Sequence, residues 1–117
     1  MDRSAKIIVA APDEAFRRSL VFALESDGFT VNPHAQAAEA FASPQACHAA
    51  CAVIDDDAVN DWTQASRQFD RFGRPVILLV GFLGKLPLPA QARFVMKPFL
   101  GEPLVEAVRD AIAISTK

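Results

Sequence analysis

The chain has 117 residues, 51% of them hydrophobic and 22% charged, with a net charge of −2. This describes a single domain, 1–117, with enough chain to build a core unaided by metal or disulfides. Lys and Arg are scattered rather than striped, and no apolar run reaches a membrane span or opens the chain as a leader, so nucleic acid and membrane are excluded as partners and a cytoplasmic protein is expected.

Lys6–Ala11 (KIIVAA) is rich in β-branched residues and reads as a buried strand, ended by Pro12-Asp13. Asp13 is placed to cap a helix through its side-chain oxygen. Phe16, Leu20, Ala23 and Leu24 then recur at helical spacing, with Arg17, Arg18 and Glu25 on the other side. Gly28 is the expected stop. Phe29–Val31 is a short second strand that Asn32-Pro33 should end, and Ala35–Phe41 is a helix that Ser43-Pro44 breaks. Cys47, His48 and Cys51 have the composition of metal ligands but not the number, since zinc takes four at recognisable spacings. Two cysteines make no disulfide framework, and Cys51 reads as a small buried residue.

Cys51–Ile54 (CAVI) is a third strand that runs into Asp55-Asp56-Asp57. If the strand continues, alternation turns the Asp56 side chain away from that of Asp55. Trp62, Ala65, Phe69 and Phe72 share one face of a third helix, stopped by Gly73. Pro75–Val80 (PVILLV) is the fourth strand. Gly81–Pro89 (GFLGKLPLP) holds two Gly and two Pro and is not expected to form a regular helix. Arg93–Met96 is the fifth strand. Pro103, Leu104, Val108, Ala111 and Ile112 mark a last helix with Pro in its first turn. Apolar strands alternating with amphipathic helices predict an α/β fold with a parallel sheet covered on both faces. Ligands of such sheets sit at the carboxyl ends of the strands. Here those ends carry Ala11-Pro12-Asp13, Asp55, Val80 and Lys97.

Four stretches, KIIVAAPDEAFRRSLVFALESDGFTV, CAVID, RPVILLVG and FVMKPF with its following helix, resemble the receiver domain of bacterial two-component response regulators over nearly the whole chain. The resemblance implies a flavodoxin-like receiver fold, with a five-stranded parallel sheet and helices on both faces. It puts Asp55 at the phospho-acceptor position and makes Lys97 its partner. The family carries two adjacent acids, which hold Mg²⁺, where this chain has Ala11 and Pro12. It carries Thr or Ser where this chain has Val80. Its fourth helix is expected to be shortened or absent here, because only sixteen residues separate Val80 from Lys97.

Mg²⁺ prefers near-octahedral oxygen ligands, usually including one or two carboxylates. Ala11 and Pro12 offer none, so no cofactor is expected. Metal binding should be weak or absent, with Asp13 and Asp55 the weak candidates. Val80 is read as core. What the resemblance implies is an atypical receiver in two-component or phosphorelay signalling, a pseudo-receiver acting mainly through protein contacts and not an enzyme. The alternative is a working phospho-acceptor, phosphorylated on Asp55 by a histidine kinase. The partner is then a histidine kinase or an output protein, with a homodimer through 81–89 and the last helix. A small enzyme on this fold lacks support: there is no nucleophile–base pair and no phosphate loop.

Overall fold

The computed structural model describes residues 5–80, 92–96 and 102–115. The elements, in chain order, are β1 (Lys6–Ala10), α1 (Glu14–Ser26), β2 (Thr30–His34), α2 (Ala37–Ala42), β3 (Cys51–Asp55), α3 (Trp62–Phe72), β4 (Val76–Val80), β5 (Ala92–Met96) and α4 (Glu102–Ser115). Short 3-10 turns at Pro44–His48 and Asp56–Ala58 flank β3. The strands form one parallel sheet in the order β2-β1-β3-β4-β5. The order reverses between β1 and β3, and in sheets of this kind the crevice for ligands opens at that reversal.

Burial explains why the strands read so clearly. Ile7 to Ala10, Cys51 to Ile54 and Val76 to Val80 are all fully buried, because helices cover both sides. Leu20 and Leu24 of α1 pack with Leu104, Val108 and Ala111 of α4 against Val9, Val53 and Leu79. On the other side, Ala37 and Ala40 of α2 and Ala65, Phe69 and Phe72 of α3 pack against Ile8, Ile54 and Leu78. Cys51 and Val80 are core residues, as expected.

The helix ends follow their local signals. Asp13 caps α1 by accepting from the Phe16 N–H at 2.8 Å. Asp61 caps α3 by accepting from Thr63 and Gln64. Gly73 closes α3 with φ +69°, a left-handed conformation that disfavours any side chain.

Two local expectations are corrected. The second strand does not stop at Asn32-Pro33; it continues through Pro33 to His34, with Pro33 opposite Val9. β2 lies at the edge of the sheet, and proline is tolerated where its missing N–H faces outward. The α2 helix begins and ends slightly later than the alanine run suggests, and Pro44 opens a separate 3-10 turn. The segment 81–89, where an altered fourth helix was expected, lies outside the described residues.

Two contacts join segments far apart in sequence. Arg74 donates to the carbonyls of Phe72, Ala46 and Cys47 and stacks over the Phe72 ring at 4.6 Å. Arg109 of α4 makes a two-pronged ion pair with Asp27, at the end of α1. The hydrogen bond from Arg109 holds the Asp27 carboxyl below its usual value, with partial burial opposing and the guanidinium charge assisting. A depressed folded-state pKa means that the pair stabilises the fold above the ordinary carboxylate range. That stability is lost as pH falls through the lowered folded value. Asp27→Asn is therefore expected to flatten the acid limb of stability against pH, read by urea unfolding from neutral into acidic buffer. An unchanged acid limb would mean that the pair is energetically silent, as many exposed pairs are.

Candidate functional site

The site is built where β1 and β3 end side by side. The register pairs Ala10 with Ile54, so the following residues, Ala11 and Asp55, are neighbours. Alternation along β3 sets Asp55 on the same side as Val53, and Ala11 belongs to that same cluster beneath α1 and α4. Asp55 is 3% exposed, the buried charged residue of the described core.

The chain turns at once after Asp55. Its Oδ1 accepts from the Asp57 N–H at 3.1 Å, and the 3-10 turn Asp56–Ala58 follows. Asp56 would point away from Asp55 only if the strand continued, and it ends at Asp55. Because the strand stops, the carboxylates of Asp55, Asp56 and Asp57 gather within 4.8 Å of one another. Single-strand alternation could not show it. The signal that could have was the acid two places before an N–H, the pattern of an Asx turn.

The other elements bring different chemistry. Asp13 is exposed and committed to the α1 cap. Val80, at the end of β4, is fully buried with its methyls in the α2–α3 cluster. Lys97, expected beside Asp55, lies outside the described residues. At the end of β1, Ala11 brings a buried methyl and an N–H spent on the His34 carbonyl, and Pro12 no N–H, so their carbonyls are the remaining polar groups there. Arg17 takes both: its Nη1 lies 2.7 Å from the Ala11 oxygen and 3.3 Å from the Pro12 oxygen. Reading Arg17 as merely the outer face of α1 missed this. The donor set differs from the Mg²⁺ site that the resemblance implies: β1 brings no carboxylate. The Asp55–Asp57 turn offers its carboxylates from one side, and water would have to complete the octahedral shell of an ion held there.

The chain is 35% identical over 108 residues to the transcriptional regulator protein FixT of Rhizobium meliloti (strain 1021), with 91% of each chain covered. The chain belongs to the same family as this regulator. No protein-family model matches it. Solved receivers share its fold. The receiver domain protein from Clostridium thermocellum superposes with a TM-score of 0.82 at 21% identity, covering 96% of this chain and 97% of the other. The CheY-like receiver domain protein from Methanospirillum hungatei JF-1 gives 0.77 at 21%, over 97% of both chains. The receiver domain of the Francisella response regulator 1452 gives 0.78 at 19%, over 96% and 99%. Among the described residues of this receiver, no helix is long and apolar enough to cross a membrane.

Proposed function

We propose that this receiver is a pseudo-receiver: a cytoplasmic binding module of two-component signalling that acts through protein contacts and does not depend on phosphorylation. The observation that carries this reading is the end of β1, where Ala11 and Pro12 stand in place of carboxylates and Arg17 occupies their carbonyls. Phosphoryl transfer to a carboxylate needs little covalent help; it needs its charge neutralised and its groups positioned. Val80 adds to the case, since a buried valine has no hydroxyl to close on a phosphoryl oxygen. The partner is a histidine kinase or an output protein, and the likeness to a transcriptional regulator supports an output in transcription control.

The contact surface has support in α1. Phe22 is 75% exposed, and it lines a groove of about 340 Å³ with Arg17, Arg18, Val21 and Pro33. A large aromatic left in water is the kind of anchor that protein partners bury. The proposed homodimer face, 81–89 with the last helix, depends on the former. The outward residues described on α4 are Glu106, Arg109, Asp110 and Ala113, a mostly charged surface.

One observation favours the second reading, a phospho-acceptor at Asp55. The three carboxylates within 4.8 Å form an acidic pocket at the right strand end, and Lys97 keeps its family position in the sequence. Incubation with acetyl phosphate and Mg²⁺, followed by intact mass, separates the two. The expected result is no added phosphoryl group. A phosphoryl adduct that Asp55→Asn abolishes would replace the first reading with the second.

A further inference from the structure

The two ends of the sheet carry opposite chemistry. At the carboxyl ends of the strands lies the acidic crevice of Asp55, Asp56 and Asp57. At the amino ends, between the close of α2, the turn before β3 and the close of α3, lies a groove of about 350 Å³. Two aromatic rings wall it: half-buried Phe41 meets buried Phe72 edge to face at 5.4 Å. Two arginines border it. Arg74 donates to the carbonyls of Phe72, Ala46 and Cys47, and its guanidinium lies 4.6 Å from the Phe72 ring centre. These contacts fix the fork on neutral oxygens, and its charge meets no carboxylate among the described residues. Arg71, exposed in the last turn of α3, has no hydrogen-bond or ion-pair partner among them. None of the described residues lining the groove is acidic. The carboxyl end of α3 offers about half a negative charge, less than the two positive charges gathered beside it.

We propose that this groove is a binding site for a small planar aromatic acid, its ring laid against Phe41 and Phe72 and its carboxylate held by Arg71 and Arg74. The volume is that of a small-ligand pocket, and so is the pattern, in which apolar walls cover the ligand and a few polar groups orient it. The guanidinium fork matches the two oxygens of a carboxylate. Arg74 is already held by three carbonyls, so it loses little freedom when a ligand arrives. The groove lies at the far end of the sheet from Asp55, and the proposal goes beyond the pseudo-receiver reading without resting on it.

Cys47 supplies a reporter in the unaltered protein. It is exposed and lines the groove, whereas Cys51, the other cysteine, is buried. The probe is naphthoate, and the reading is the rate at which iodoacetamide, an uncharged reagent, alkylates Cys47, followed by intact mass. Naphthoate is expected to slow alkylation severalfold and saturably. Naphthylmethanol, the same ring without the charge, should bind about threefold to fivefold more weakly, the range of one ion pair open to water. Arg71→Gln should weaken naphthoate by the same factor, and Arg18→Gln, in the groove beside Phe22, should leave it unchanged. Absence of saturable protection overturns the proposal, as does equal protection by the acid and the alcohol. A loss in Arg18→Gln that Arg71→Gln does not share places the acid on α1 and overturns it too. Should Arg71→Gln fail to fold, the comparison of acid with alcohol on the parent protein still decides. Phosphoryl uptake by the parent would defeat the pseudo-receiver reading and leave this site untouched.

Discussion

Ala11→Asp is expected to cost this receiver about 2–4 kcal/mol in metal-free buffer, with most of the loss recovered in millimolar Mg²⁺. Ala11 is fully buried and belongs to the cluster under α1 and α4. A carboxylate there replaces a methyl group and adjoins the carboxylate of Asp55 on the same side of the sheet. Two acids that close disfavour each other's ionised forms, and burial adds a desolvation cost. A divalent ion bridging them reverses both effects, and binding to the folded state alone raises stability by mass action. Urea unfolding with and without Mg²⁺ measures it. If the variant is as stable as the parent, with no response to Mg²⁺, the new carboxylate has escaped to solvent or to Arg17. The geometry assigned to the strand ends is then wrong.

Phe69→Ala is expected to destabilise by about 3–5 kcal/mol, a large share of what a domain of this size commonly has. Phe69 is fully buried on α3. Its ring lies 5.5 Å from that of Phe41 at 56°, and Phe41 in turn meets Phe72 at 5.4 Å, edge to face. Truncation leaves a cavity under α2 and α3 and removes an aromatic pairing worth about 0.5–1.5 kcal/mol beyond burial. The acidic crevice opens on the opposite face, so the Mn²⁺ affinity of the folded variant should match the parent. Thermal and urea melts give the first quantity. A loss below about 1.5 kcal/mol would show that the α2–α3 layer repacks freely, unlike a close-packed interior.

Much of the fold was legible because its strands are covered on both faces. Runs such as KIIVA and VILLV have no reason to be apolar throughout unless helices lie above and below them. Asp13 and Gly73 announced helix ends through chemistry that works within one turn. What stayed hidden depends on partners far away in sequence or on small changes of direction. Nothing near Pro33 reveals that its strand is the outermost, which alone makes it admissible there. Asp27 and Arg109 meet across 82 positions. In the site, Asp55 and the missing acids of the first strand were readable from position. The gathering of Asp56 and Asp57 was not, because it depends on the strand ending one residue before the acids could alternate. Arg17 was placed on the solvent side by helical spacing, which describes where a Cα lies and not how far back a long side chain reaches.

Pro33 has a consequence for how this molecule can associate. The His34 carbonyl and the Thr30 N–H both bond toward the sheet interior, to Ala11 and Ala5, so the groups of residue 33 point to the outer rim. The donor that proline lacks is thus missing from the free border of β2, where another chain's strand would otherwise zip on. That border is blunted against runaway strand-to-strand polymerisation. On this side of the molecule, contact with another protein is left to side chains projecting from helices rather than to shared backbone hydrogen bonds.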